Sequence, residues 1–211
     1  MPRITEIAED IFRISTHRSD GLPGGIVYNQ FLIRSEQPTL IHTGMRCLFE
    51  ETKSAVARLV RPSSIRWITG GHASRPDEFG AVNEWLALSP KAEVVHSKIA
   101  ANVCLRHYVD KPIVTISDQD NLVVGHMTLQ FHATPHVPFW EAGLFFDIRS
   151  GVLFSGDLFT VEGDPPPITS DDIVSPAIHF ESRMRQITVS KHLPLTLRRL
   201  AKLSPRMLAG M

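Results

Sequence analysis

Two short segments in the second half of the chain carry the side chains best suited to chemistry. His136 lies between Pro135 and Pro138 in Thr-Pro-His-Val-Pro, and Asp157 follows the apolar run Val-Leu-Phe-Ser-Gly. The flanking prolines stiffen the turn and fix the direction of the imidazole, as suits a metal ligand. A carboxylate just past a buried strand is costly unless it is paired, hydrogen-bonded or bound to a metal. The pair predicts a metal site, against the simpler alternative of a surface-loop histidine and a turn aspartate.

A second group of such side chains follows an apolar segment at residues 65–69. His72 comes after two glycines, and Asp77 and Glu78 begin a helical pattern. Either acidic residue could instead serve the helix start, where carboxylates cap backbone N–H groups and stabilise the dipole. Imidazoles mixed with carboxylates suit iron, manganese or zinc better than magnesium or a thiolate-bound metal. His42 ends another buried strand, and we expect it to hydrogen-bond to a metal ligand and so orient that ligand.

Composition excludes several classes of function. The 211 residues include 22 basic and 22 acidic side chains, so charge gives no reason to expect nucleic acid or an anionic membrane as a partner. Cys47 and Cys104 are the two cysteines, and their contexts predict buried apolar positions. They form neither a zinc motif nor a disulfide framework, so a cytoplasmic location is expected. No apolar run approaches the ~20 residues of a membrane span, and no phosphate loop or serine-hydrolase elbow is present.

The elements that must position these residues follow from periodicity. Strands are predicted at 4–16 (two, with a turn), 27–34, 38–42, 65–69 and 93–96, and as hairpins at 121–132 and 144–155. Helices are predicted at 48–60, 77–88, 97–106, 177–187 and 194–202, and loops at 21–25 and 163–176. Hairpins with helices between the groups predict a single α/β domain over residues 1–211, with helices outside packed sheets.

Five segments carry a resemblance that runs over nearly the whole chain. They are Asn29-Gln-Phe-Leu-Ile, Thr39-Leu-Ile-His-Thr-Gly, Asp77-Glu-Phe-Gly-Ala-Val-Asn-Glu-Trp-Leu, Thr134-Pro-His-Val-Pro and Leu153-Phe-Ser-Gly-Asp-Leu-Phe. With them the chain resembles the metallo-β-lactamase superfamily, and more narrowly the oxygen-binding diiron proteins and the lactamase-like half of flavodiiron proteins. The resemblance implies a four-layer αββα sandwich with a metal site at one edge of the sheets.

Part of the ligand pattern of that branch is present. The pattern is His-x-Glu-x-Asp-(His/Glu), then a His, a bridging Asp and a last His. By resemblance, Asp77 and Glu78 match the Asp-(His/Glu) pair, His136 the middle His and Asp157 the bridging Asp.

The first half of the pattern departs from the branch. With Asp77 in register, Ala73 stands where the first His belongs and Arg75 where the Glu belongs, while His72 is one residue early. The last His of the pattern falls past Met211. The resemblance therefore implies a weakened site that keeps the four matched ligands. Either a one-residue insertion restores His72 as a fifth ligand, or His72 is not a ligand. Arg75 adds a positive charge where a metal prefers a carboxylate.

Two hypotheses of different class follow. In the first, one or two metal ions are bound: iron would bind or reduce dioxygen or nitric oxide with electrons from a partner protein. Zinc, the less favoured metal, would activate water to attack an ester, thioester or amide. In the second, the chain is a metal-free module that binds or senses a small molecule, and Arg75 pairs with Asp77, Glu78 or Asp157. By analogy with its relatives, a homodimer is expected.

Overall fold

A computed structural model describes residues 1–19, 22 and 24–211, so the loop predicted at residues 21–25 lies partly outside the described residues. The first sheet has seven strands in chain order, β1 to β7. They are Arg3–Ala8, Ile11–Arg18, Ile26–Ile33, Thr39–Ile41, Trp67–Thr69, Glu93–Ser97 and Ile113–Ile116. Strands β1 to β4 pair antiparallel and β4 to β7 parallel.

The second sheet has five strands in the order β12-β11-β10-β9-β8. Its strands β8 to β12 are Asn121–Val124, Met127–Ala133, Gly143–Asp147, Val152–Gly156 and Met207–Gly210. The α-helices α1 to α6 are Phe49–Val56, Pro76–Phe79, Val82–Leu88, Lys98–Val103, Val174–Met184 and His192–Ala201. No described helix has the length and apolar composition required to cross a membrane.

Alternation along the strands divides the core into layers. In β2, Ile11 belongs to the cluster between the two sheets, and its neighbour Phe12 to the cluster that the first sheet shares with α1, α3 and α4. Leu144 and Leu153 of the second sheet pack with Leu200 of α6 on the far side. Successive side chains of a strand point to opposite faces, so one sequence fills two apolar layers. The predicted four-layer αββα sandwich is confirmed.

Three local predictions are wrong. The helix predicted at 77–88 is divided, because the Ala81 N–H donates to the Gly44 carbonyl (3.0 Å) instead of continuing the helical ladder. Strands β7 and β12 were not predicted. Both are short, and pairing with a parallel neighbour, rather than a local pattern, defines them. The cysteines predicted to be buried are not: Cys47 is exposed and Cys104 is partly buried.

Candidate functional site

The predicted site residues lie where four strands end at one edge of the sandwich. His42 follows β4 and His72 follows β5, which run parallel. His136 follows β9 and Asp157 follows β11, and both strands are antiparallel to β10 and so run in the same direction. His42, His136 and Phe159 have positive φ angles of 64°, 68° and 68°. Non-glycine residues in this conformation are strained, and such strain concentrates at functional sites.

The carboxylate of Glu78 is the centre of a buried polar cluster. Glu78 is fully buried and accepts hydrogen bonds from the backbone N–H groups of Gly71 and His72, the latter at 2.9 Å. Its two oxygens also contact the His72 Nδ1 and, at 3.1 Å, the His42 Nε2. Four donors therefore surround one carboxylate, which offsets the cost of taking its charge out of water.

Glu78 and the two histidines shift one another's pKa values. Burial alone would raise the pKa of Glu78, but the adjacent His42 and His72 hold it well below its usual range. Burial alone would lower the pKa of each histidine, and Glu78 reverses this effect. The pKa of His42 is raised, and that of His72 is raised to about 9. At neutral pH the cluster favours an ionised Glu78 next to a protonated His72.

Two glycines allow this close approach. A Cβ on Gly70 would lie 2.6 Å from the Phe79 Cε2 and 2.8 Å from the Glu78 Oε2. Gly156, with φ +53°, would place a Cβ 3.1 Å from the His72 Cε1. Only glycine combines that backbone conformation with the absence of a side chain.

Arg75 links the two aspartates of the site. Its Nε and one terminal nitrogen donate to the two carboxylate oxygens of Asp77, each at 3.1 Å, in a bidentate pair. The same terminal nitrogen lies 3.6 Å from the Asp157 Oδ2. Burial alone would lower the pKa of Arg75, but the two aspartates raise it, so the guanidinium stays charged. A protein cation thus lies between the carboxylates that the sequence pattern assigns to metal.

Asp157 is less well satisfied than its neighbours. Its side chain is 4% exposed, and its Oδ2 accepts no hydrogen bond from any residue that the structure describes. Burial raises the pKa of Asp157, and His72 and Arg75 oppose the shift. A buried carboxylate oxygen without a donor is a position where a bound group would gain most.

His136 is separate from this network. Its backbone N–H donates to the Phe139 carbonyl at 2.8 Å, and its ring stacks on that of His192, with 5.7 Å between centroids. Its Nδ1 is buried without a hydrogen-bond partner among the described residues. The structure therefore brings together His42, His72, Arg75, Asp77, Glu78 and Asp157, and records no contact of the His136 side chain with them.

Three supporting residues were not predicted. Phe139 packs edge-on against His72 (5.6 Å between centroids), and its ring also faces the Arg75 guanidinium. The Asn29 carbonyl lies 3.2 Å from the His42 Nδ1, and the Thr43 hydroxyl donates to the Glu78 carbonyl at 2.9 Å. Asn29 and Thr43 stand in the motifs that carry the resemblance, which is the only sequence signal that could have pointed to them.

Comparison with known proteins decides the family. The family model described as "ODP family beta lactamase" matches residues 26–210. The chain belongs to this ODP family. A putative diflavin flavoprotein A 1 of Nostoc sp. PCC 7120 is 30% identical over 143 residues, which are 66% of this chain and 24% of that protein. The chain thus spans about a quarter of the length of this curated relative.

Solved structures share the fold of this ODP-family chain. A metal-soaked Flv1 flavodiiron core from Synechocystis sp. PCC6803 has a TM-score of 0.85 at 18% identity, covering 99% of this chain and 55% of that one. A rubredoxin oxygen:oxidoreductase from Desulfovibrio gigas has a TM-score of 0.83 at 19% identity, covering 99% and 56%. These likenesses confirm the metallo-β-lactamase-like sandwich.

The donor atoms of the ODP-family site do not fit a diiron centre in this arrangement. Both oxygens of Glu78 and both of Asp77 are taken by protein donors, and the two ring nitrogens of His42 and of His72 face protein oxygens. Within the part of the chain that the structure describes, no three His, Cys, Asp or Glu side chains are placed to hold a metal ion together. Of the five predicted ligands, His72 and Glu78 contact each other and Asp77 accepts from Arg75. The Asp157 Oδ2 and the His136 Nδ1 have no hydrogen-bond partner among the described residues, and no contact joins these two side chains.

Proposed function

We propose that this chain is a metal-independent member of the ODP family that binds a small molecule at the former metal edge. The observation that carries the proposal is the Arg75 guanidinium, held by Asp77 and facing Asp157. In this proposal the diiron-type site of the branch is not merely weakened, because a side-chain cation supplies the charge that a metal would supply.

The charges of the cluster support this proposal. Asp77, Glu78 and Asp157 are mutually repelling carboxylates in a buried region, and such a group is stable only with compensating positive charge. Arg75 provides one permanent charge, and His72, with its pKa raised to about 9, provides a second at neutral pH. A metal ion entering the site would first have to displace the Arg75 guanidinium from the aspartates and a proton from His72.

A cavity next to Arg75 supports a role in binding. It has a volume of about 360 Å³ and is lined by Arg75, Asp77 and Asp157 on one side. Apolar side chains form the other walls, including Met45, Phe180 and Met184. A mostly apolar cavity with a few converging polar groups is the usual form of a small-molecule site.

A second candidate is a diiron centre that binds or reduces dioxygen or nitric oxide, with electrons from a donor protein. The similar proteins favour it, since they include a flavodiiron core and a rubredoxin oxygen:oxidoreductase. The convergence of His72, Asp77, Glu78 and Asp157 on one edge also favours it. This candidate requires the Arg75 side chain to move away from Asp77 and Asp157. Assembly of the chain as a homodimer is part of this second candidate. Zinc-dependent hydrolysis of an ester, thioester or amide gains no support from these similar proteins.

Elemental analysis of the protein as isolated separates the two candidates. We expect iron, zinc and manganese each well below one per chain after growth in iron-supplemented medium. Two irons per chain in folded protein would refute the metal-independent function.

The variant Arg75→Met tests the reason for this result. Removal of the guanidinium leaves Asp77 and Asp157 without their cation, so we expect the variant to bind Mn²⁺ or Fe²⁺ more tightly than the wild type. Arg58→Met, at an exposed position outside the site, is the matched control. Equal metal affinity of Arg75→Met and the wild type would show that Arg75 does not substitute for the metal.

A further inference from the structure

Two cavities meet at Asp157. The first is the 360 Å³ cavity next to Arg75, and the second, of about 420 Å³, lies against α5. Asp157, Thr160, Phe180 and Gln186 line both of them. We propose that the second cavity and Asp157 form a binding site for an organic ammonium ion with an apolar tail, in which the ammonium group pairs with Asp157. The proposal rests on the metal-independent function and names the class of ligand.

Arg75 and Asp77 satisfy each other's hydrogen bonds, so the Asp157 Oδ2 remains without a hydrogen-bond donor among the described residues. Arg75 is oriented by its bidentate pair with Asp77, at 3.1 Å on both bonds. From that position its nitrogen reaches the Asp157 Oδ2 only to 3.6 Å, which is beyond a normal hydrogen bond. This oxygen is itself buried, so the Asp157 side chain has to turn toward the cavity before the three N–H donors of an ammonium group can supply the one that it lacks.

The charges that line the two cavities select a cation. Arg75 is the positively charged residue among the described lining residues, and Asp77, Asp157 and Glu181 are the negatively charged ones. Among the lining side chains, three carboxylates stand against one guanidinium; His72 also acts on Asp157 but lines neither cavity. A carboxylate or phosphate ligand would be repelled, whereas an ammonium ion would restore the balance.

The second cavity provides the apolar surface for the tail. Side chains of α5 and of the segments packed on it form its wall: Leu158, Ala177, Ile178, Phe180, Ile187 and Leu197. Asp157 also lines this cavity, and its side chain is 4% exposed. A charged head at Asp157 and an alkyl tail along α5 would satisfy both parts of the cavity.

Calorimetric titration of the full chain with n-octylammonium, at pH 7 and with the metal content measured on the same sample, tests the proposal. We expect saturable binding of one equivalent, weakened about tenfold or more when n-octanol replaces the ammonium, since hydrogen bonds between charged groups are the stronger ones. n-Octanoate should not bind. Each methylene removed from the tail should weaken binding about fourfold.

Two variants assign the head and the tail. Asp157→Asn keeps the shape of the side chain and removes its charge, and should weaken octylammonium binding about tenfold or more while leaving octanol unchanged. Phe180→Ala should weaken both ligands. Asp110→Asn, an exposed change that lines neither cavity, should alter neither affinity.

Each outcome decides the proposal. Equal binding of ammonium, alcohol and carboxylate by the wild type would overturn it, even if Asp157→Asn failed to fold. Unchanged octylammonium affinity in folded Asp157→Asn would overturn it too. A metal-free chain that does not bind octylammonium would refute this inference and leave the metal-independent function standing. A chain with two irons would refute both.

Discussion

The substitution Glu78→Gln tests whether the buried cluster stabilises the fold as an ionic unit. Glutamine keeps the size of the side chain but replaces one acceptor oxygen with an NH₂ group. That group would face N–H donors from Gly71, His72 or His42, which would lose their acceptor. The change therefore leaves a buried imidazolium and at least one buried N–H unpaired.

The magnitude follows from the burial of the partners. Glu78 and His72 are fully buried and His42 is 1% exposed, so solvent does not screen their interaction. Breaking a buried ion pair by removal of one partner costs about 3–5 kcal/mol. The free energy of unfolding of a typical domain is about 5–15 kcal/mol, so this loss is a large part of the total. For a chain of this size it corresponds to a fall in Tm of roughly 6–20 °C.

Urea denaturation of the wild type and the variant at pH 7 measures this loss. Glu84→Gln is the matched control, because Glu84 pairs with Arg46, which is 83% exposed, and such surface pairs contribute about 1 kcal/mol or less. A double-mutant cycle with His42→Gln should show a coupling of about 1 kcal/mol or more between the two positions. A cost below about 1 kcal/mol for Glu78→Gln, or no coupling with His42, would refute the ionic cluster.

Two further predictions concern the surroundings of the cluster. Burial lowers the pKa of His96 from 6.5 to about 4, so between these values the unfolded chain binds more protons and stability falls as the pH falls. The full effect is about 3 kcal/mol. The difference in unfolding free energy between the wild type and His96→Gln, measured by urea denaturation, should therefore change by about this amount from pH 7 to pH 4. A difference that stays constant over this range would contradict the prediction. Gly70→Ala should cost about 1–3 kcal/mol, because its Cβ would lie 2.6 Å from the buried Phe79 ring. Gly71→Ala, whose Cβ would lie 3.4 Å from Glu78, should cost less, and equal thermal stabilities of the two variants would contradict this prediction.

Most of the fold could be predicted because local patterns and tertiary packing agree. In β2 and β3 neighbouring apolar residues fill the layers on the two faces of the first sheet, and the hairpins at β8–β9 and β10–β11 carry glycine in their turns. The missed elements depend on distant partners. Strand β12 is defined by parallel pairing with β11, and the division of the predicted helix depends on Gly44, 37 positions before Ala81.

The candidate site could be located from the sequence, but its interactions could not. The spacing of His72, Asp77, Glu78 and Asp157 indicates residue types suited to a metal, and all four lie at one edge of the sandwich. The sequence left open whether Arg75 pairs with Asp77, Glu78 or Asp157. The structure shows Arg75 on both aspartates and Glu78 enclosed by two histidines. Such choices depend on distances between segments that are remote in sequence, and no local pattern encodes them.

Anaerobic titration of the purified chain with Fe²⁺ tests the central claim most directly, namely that side-chain cations occupy the place of the metal. Binding is followed by calorimetry, and bound iron is counted after gel filtration. The predicted result is no stoichiometric binding and no gain in thermal stability. Retention of two irons per chain, with a rise in Tm that is lost in Asp157→Ala, would contradict the account.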